Sequence, residues 1–242
     1  LSAGVVAALE AEARTLGTLM RRTDGLAATP EGVLVAISGI GAPAAAVAAR
    51  LLADAGATAL VSWGLAGGLD PGLAGGTICL PSVVLADPGT AFTTDHHWRE
   101  LVTAAIAARR AVVGGTLFTS ERAIEDIAGK AVAFRRTGAA AVDMESVAVA
   151  QVAALRGLPF IAVRVIIDTA ADELPGAVLA ASSAGQVRTG RLLQGLLRAP
   201  RDIPPLLRLA MRYRAARRAL VAVAESGALS PLAFAAAASR RA

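Results

Sequence analysis

The residues of this chain best suited to chemistry are acids placed at the ends of apolar runs. Ala141–Leu155 reads AVDMESVAVAQVAAL: a short apolar run hands over to Asp143, Met144 and Glu145, and an Ala/Val-rich stretch follows. Carboxylates at such a junction either cap the helix that begins there or present oxygens that grip a diol. Asp168 closes a second apolar run, FIAVRVIID. An acid there is easily desolvated, which raises its pKa and suits it to donate a proton near neutrality; capping the following segment accounts for it equally well. Arg164, four residues earlier and on the same strand face by alternation, is a partner for Asp168 or a ligand clamp. Glu10 and Glu12 follow the first apolar run, where the dipole of an opening helix also favours acids. Judged singly, each structural role outweighs its catalytic rival. The combination shifts the balance.

Glycines accompany these acids. GLAGGLDPGLAGG (64–76) reads as a long loop after a strand, and SGIG (38–41) precedes a helix. Such turns let backbone N–H groups approach a ligand, so Ser38, Gly39, Gly64, Leu65, Ala66 and Gly67 are candidate binding positions. Neither stretch has the G-x-G-x-x-G spacing of a dinucleotide site, and no phosphate-binding G-x-x-x-x-G-K-[ST] occurs. A glycine loop alone is more often only a tight turn.

The elements that must position these residues alternate. Strands are expected over 3–9, 33–38, 58–63, 77–87, 111–118, 139–144 and 159–168. Helices are expected over 10–20, 41–56, 97–109, 145–157 and 175–197, with an acidic helical turn at 120–128. This order implies an α/β fold, a three-layer sandwich with a mixed, mostly parallel central sheet. Ligands gather at the carboxyl ends of strands in such sheets, which is where the acids stand.

At 242 residues the chain suits a single core, built mainly from Ala, Val and Leu, since 55% of residues are apolar and only 3% aromatic. No apolar run is long enough to span a membrane, and the opening LSAGVVAALEAEAR does not read as a leader, so a cytoplasmic protein is expected. One cysteine, Cys79, and two adjacent histidines argue against a disulfide framework and against a metal site. The charge is uneven: 188–242 carries eleven arginines against two acids, whereas 1–187 is net acidic. That tail, taken as 198–242 after a catalytic 1–197, reads as a basic helical extension with Leu206, Leu209, Tyr213, Ala216, Leu220 and Val223 on one face. It would dock on the core or a partner subunit, or lie on an anionic membrane surface. With one tyrosine and one phenylalanine it lacks a base-stacking platform, so nucleic acid is not expected as a partner.

Taken together, AALEAEA (7–13), the stretch from Ser38 to Pro81, VDMESVAVAQVA (142–153) and PFIAVRVIIDTAAD (159–172) resemble the nucleoside phosphorylase and nucleosidase superfamily, above all its methylthioadenosine/S-adenosylhomocysteine nucleosidases. The resemblance implies a nucleoside phosphorylase-like fold, no cofactor, a homodimer and cleavage of an N-glycosidic bond. It implies that Glu145 accepts hydrogen bonds from the ribose hydroxyls and that Met144 packs under the sugar, while Asp143, the first acid of that motif, caps or faces outward. Asp168 would protonate purine N7, Glu12 would activate the attacking water, and Arg164 would stand beside the nucleophile. The stretch FTSERAI, ending at Ile124, would contact the base. Leu65 and Ile167 replace polar residues usual in the family and make the pocket greasier. With its Pro-Pro break and Arg/Leu helix, the chain is also similar to hopanoid-associated nucleoside phosphorylases. That similarity implies adenosylhopane as substrate and peripheral contact with the inner membrane face. Glu12 where phosphorolytic relatives carry arginine favours water, with phosphate as co-substrate left open through Arg14 or Arg164. A plain thioadenosine nucleosidase and a non-catalytic nucleoside-binding module are the rival readings.

Overall fold

A computed structural model describes residues 2–86, 89–173, 182–183, 186–187 and 203–229. Four parallel strands form its centre in the order β4 (Leu34–Ile37), β1 (Ala3–Ala7), β5 (Ala59–Gly68) and β12 (Phe160–Asp168). Burial on both faces explains their near-continuous Val, Ile, Leu and Ala content. The far end of β5 also pairs antiparallel with β11 (Ala141–Asp143), through Ala141 opposite Gly68 and Val142 opposite Gly67. Beyond it lie β10 (Thr116–Thr119), β7 (Val83–Ala86) and β8 (Thr90–Thr93), and short strands β2 (Met20–Arg21) and β3 (Ala27–Ala28) extend the opposite edge. On β12 the sheet branches into β6 (Ile78–Cys79) and β9 (Val112–Val113). The sheet is mixed and mostly parallel, as expected.

Alternation along each central strand divides the core into two layers. Val5, Val61, Trp63, Val163 and Val165 face one side, against Trp98, Val102 and Ile106 of α3 (His96–Ile106). Val6, Leu60, Ala162 and Ile166 face the other. There α2 (Ala42–Asp54) applies Ala45, Ala48, Ala49 and Leu52, and α5 (Ser146–Leu155) applies Val149, Val152 and Ala153. The i, i+3, i+4, i+7 spacing on α2 sets a narrow alanine face that packs close to the sheet.

Several boundaries depart from expectation. Gly64–Gly68 is not loop but the second half of β5, because β11 and β12 pair with it and satisfy its backbone. The expected strand 77–87 is divided between β6 and β7 around Pro81, which has no N–H to give a ladder. The strand expected over 111–118 is divided at Gly114–Gly115 into β9 and β10. The helical turn expected at 120–128 is instead the approach to a helix that the pattern did not announce, α4 (Ile127–Thr137). Asp126 caps α4 by accepting from the Gly129 N–H, and Gly138 closes it at φ 62°. Its apolar stripe is hard to read because the most deeply buried position on it is a lysine, Lys130. Of the helix expected over 175–197, only 182–183 and 186–187 are described, and they pair as antiparallel β13 and β14; the remainder lies outside the described residues. N-terminally, α1 is one turn (Glu10–Ala13) followed by a 3-10 turn, Arg14–Leu16, rather than a helix to residue 20.

The tail helix is present as α6 (Ile203–Glu225), with Pro204 and Pro205 in its first turn, where missing N–H groups cost little. Ala216, Ala219, Leu220 and Val223 are buried in the same core as β1, β5 and β12, and the Trp98 indole N–H donates to the Ala228 carbonyl at 2.9 Å. Docking on the core is therefore what its apolar face does from Ala216 to Val223. Arg217, which falls near that face on a helical wheel, is exposed. Among the described residues no helix is long and apolar enough to cross a membrane. Leu220→Ala should cost about 2–4 kcal/mol in denaturant unfolding, the range for emptying a buried leucine site. An unchanged midpoint would mean that α6 is not part of the folded core.

Candidate active site

The carboxyl ends of β1, β5, β11 and β12 open onto a cavity of about 320 Å³. Of the residues singled out in the sequence, Glu12, Leu65, Ala66 and Gly67 line it from the first half of the chain. Ile124, Met144, Glu145 and Asp168 line it from the second. Ser38, Gly39, Gly64 and Arg164 do not line it. The Ser38 hydroxyl is turned back, donating to the Gly39 carbonyl at 2.7 Å. Its loop still reaches the site, because the Gly41 N–H donates to Glu145 Oε1 at 2.9 Å. Gly64 lies beneath the cavity: a Cβ there would sit 2.5 Å from Glu12 Oε1 and 2.7 Å from Arg164 Nη1. Only glycine lets the strand pass under that pair, and its φ of 153° adds a backbone reason.

Glu12 projects from α1 and is 5% exposed. The Leu65 N–H donates to its Oε1 at 2.9 Å and the Leu9 N–H to its Oε2 at 3.0 Å, so both oxygens are fixed. Burial raises its pKa, and the Arg164 charge and these two N–H groups oppose the rise. Glu10, in contrast, is exposed and pairs with Arg14 on the surface.

Arg164 is 1% exposed and anchors the acids from below. Its Nη2 lies 2.7 Å from Asp143 Oδ2, 2.8 Å from Ser62 Oγ and 3.4 Å from Glu145 Oε2. Burial disfavours the guanidinium charge, but Asp143, Glu145 and Glu12 hold it. Asp143, expected to cap or to face outward, is buried and counters Arg164. It also takes a hydrogen bond from Thr119 Oγ1 at 2.7 Å and from the Ser146 N–H at 3.1 Å. The capping role is real and the outward one is not. Glu145, 6% exposed, keeps its carboxylate at the cavity, its pKa raised by burial and pulled back by Arg164.

Asp168 does not pair with Arg164. The register slips between Ile166 and Asp168, where β12 bulges against Ala66 and Gly67, and the alternation that would align the two side chains is lost. The partner is Lys130 of α4, whose ammonium donates to Asp168 Oδ2 and to the Thr169 carbonyl at 2.9 Å. Burial raises the Asp168 pKa; the Lys130 charge acts in the opposite direction. Lys130 is the charged residue beside the site that sequence reading missed. Its signal was present, the only lysine in the chain, but nothing in one dimension ties it to an acid 38 positions later.

The cavity thus combines a desolvated acid suited to proton donation, a second carboxylate held by backbone N–H groups, and a third facing the same space. Leu9, Ile40, Leu65, Ile124 and Ile167 give the rest of its wall an apolar character. Among the described residues no cluster of His, Cys, Asp and Glu could hold a metal ion.

Solved structures of nucleosidases share this fold. A 5′-methylthioadenosine/S-adenosylhomocysteine nucleosidase from Neisseria meningitidis, in complex with methylthio-immucillin-A, superposes with a TM-score of 0.67 at 21% identity, covering 93% of this chain and 99% of that one. The enzyme of the same description from Colwellia psychrerythraea, in complex with adenine, gives 0.67 at 21% identity over 95% and 96%. Futalosine hydrolase of Helicobacter pylori gives 0.62 at 18% identity over 70% and 85%. No curated protein sequence matches. The family model described as Phosphorylase superfamily matches residues 25–198, and with that match over most of the chain this protein belongs to the phosphorylase superfamily.

Proposed function

We propose that the protein cleaves the N-glycosidic bond of an adenine nucleoside bearing an apolar 5′-substituent, adenosylhopane being the substrate of choice, with water as the nucleophile. The observation that carries this reading is the opening of Glu12, Glu145 and Asp168 onto one cavity. Glu145 accepts from the ribose 2′- and 3′-hydroxyls, charge-assisted hydrogen bonds that fix the sugar, and Met144 packs beneath it. Asp168 gives its proton to purine N7 as the bond from the sugar C1′ to the base breaks, so that adenine departs neutral. Glu12 orients a water whose oxygen adds to C1′ and whose proton Glu12 accepts. Protonating the leaving group matters because the sugar develops oxocarbenium character and a purine anion is a poor leaving group. Arg164 acts through Glu145, Asp143 and Glu12 rather than by touching substrate. Ile124, with the chain before it, borders the base.

Water rather than phosphate is supported by the cations. Arg14 is exposed and paired with Glu10, and Arg164 is enclosed by Asp143, Glu145 and Ser62. Among the described residues the only arginine lining the cavity is Arg122, on the side of Ile124 and away from Glu12 in sequence. A greasy 5′-group is supported by Leu65 and Ile167 in the cavity wall and by Ile40, which is 45% exposed at its edge. Exposed Arg214, Arg217 and Arg218 on α6 support contact with an anionic membrane face, at about 1 kcal/mol per basic residue near such a surface. Apolar Val47, Leu51 and Leu155, exposed on α2 and α5, support a homodimer.

Glu145→Gln and Asp168→Asn should each lower kcat/KM for adenine release by about 10²–10⁴-fold, and a variant near wild-type rate would remove that residue from the mechanism. Adenine release should not depend on added phosphate; strict dependence would replace hydrolysis by phosphorolysis. Adenosylhopane in liposomes should be turned over more efficiently than 5′-methylthioadenosine, and the reverse order would assign the pocket to a soluble thioadenosine. Glu12 must be ionised and Asp168 protonated, and both pKa values are raised by burial. The kcat/KM profile should therefore be a bell with both limbs above the ordinary carboxylate range, falling at low pH as Glu12 protonates and at high pH as Asp168 ionises.

A further inference from the structure

The contact between Lys130 and Asp168 is used neither in ribose recognition nor in activating water. Lys130 has 0% of its surface exposed. Its ammonium carries three N–H groups and meets three acceptors: Asp168 Oδ2, the Thr169 carbonyl at 2.9 Å and the Asp172 carbonyl at 2.8 Å. A buried ammonium whose three donors are all used in this way is held in one place. Two of those acceptors belong to the turn after β12, and Asp172 closes that turn, its Oδ2 accepting from the Thr169 N–H at 2.8 Å. Arg212 of α6 is ion-paired with Asp172 from outside. Burial pushes the Asp172 carboxyl up, but Arg212 and Thr169 outweigh it and hold it down at about 2, so this link stays ionised near neutrality. A continuous set of contacts therefore runs from the docked C-terminal helix to one oxygen of Asp168.

We propose that Lys130 is the positioning residue of the proton donor, fixing Oδ2 of Asp168 so that Oδ1 carries the transferable proton, with its seat completed from α6 through Asp172 and Arg212. The inference rests on the reading of Asp168 as the acid that protonates the base. In that step the Asp168 O–H bond breaks, the N7–H bond forms, and the electron pair stays on the carboxylate. Lys130 keeps its own protons and compensates the new charge. Without an adjacent cation a carboxylate at this depth would be costly to create, and the acid would hold its proton too tightly. The charged groups facing Asp168 are Lys130 from α4 and Asp172 from the turn, with Arg212 behind it; Glu12, Arg122, Asp143 and Glu145 line the same cavity.

The test measures kcat and KM for adenine release from 5′-methylthioadenosine across pH, with the full chain. Lys130→Met should lower kcat by roughly 10–100-fold with little change in KM, part of the general-acid contribution being lost. Its alkaline limb should move to higher pH, because burial then acts on Asp168 unopposed. Lys130→Arg should recover part of kcat and return the limb toward the wild-type position. Arg212→Ala, at a side chain 33% exposed, should move the limb the same way by less, and it carries the test if Lys130→Met does not fold. A lysine with only a structural role would leave the limb in place. An unmoved limb with wild-type kcat in Lys130→Met, or in Arg212→Ala if the former does not fold, overturns the inference while an inactive Asp168→Asn leaves the reading of the site standing. A wild type that releases adenine neither from 5′-methylthioadenosine nor from adenosylhopane in liposomes overturns both.

Discussion

One buried guanidinium organises the catalytic end of this molecule. Arg164 lies in the middle of the sheet, and a lone charge there would be untenable, so each of its neighbours is an answer to it. Asp143 supplies the close counter-charge, Ser62 a hydroxyl acceptor, and Glu145 and Glu12 the more distant negative field. The arginine in turn opposes the effect of burial on the pKa of both Glu12 and Glu145. Removing either sign would leave the other buried and unpaired. The site is thus constrained as a set, its carboxylates drawn from α1, β11 and the start of α5 and fixed relative to one another by a residue that does not itself reach the cavity.

The backbone is shaped to allow this crowding. Gly64 lets β5 pass beneath the meeting point of Glu12 and Arg164, where any side chain would collide with both. Gly68 is crowded too, since a Cβ there would lie 3.1 Å from both the Asp168 carbonyl oxygen and Ile166 Cγ2. These glycines serve close approach within a strand rather than the flexibility of a loop. The second charge cluster, around Lys130, repeats the arrangement on a smaller scale: a saturated buried cation beside an acid whose pKa burial would otherwise drive up. Its acceptors come from the turn that α6 holds, so the C-terminal helix contributes both to the core and to the setting of the acid.

Much of the architecture was legible in one dimension. Central strands β1, β4, β5 and β12 announced themselves as apolar runs because they are buried on both faces, and α2 and α5 because their small residues recur at helical spacing. Acids at the ends of those runs line one cavity, at the strand ends where ligands gather in such sheets. Errors arose where local pattern and pairing diverge. Glycines at 64–68 look like a loop until two neighbouring strands are seen to use their backbone. Likewise α4 was hidden by the polarity of Lys130, a residue whose burial makes sense only with Asp168 beside it.

By itself the sequence determined the alternating elements, the small-residue core, the family resemblance and which acids stand at strand ends, since these depend on periodicity and on residue type along the chain. Only the tertiary structure decided who pairs with whom. Alternation along β12 put Arg164 and Asp168 on one face, as partners or with the arginine as a ligand clamp, but a bulge after Ile166 separates them and hands one to Asp143 and the other to Lys130. It likewise decided that Asp143 turns inward and that Ala216, Ala219, Leu220 and Val223 of α6 are spent on the core. The physical reason is common to all of these: a buried charge is placed by the partner that compensates it, and that partner is brought near by folding rather than by adjacency in the chain.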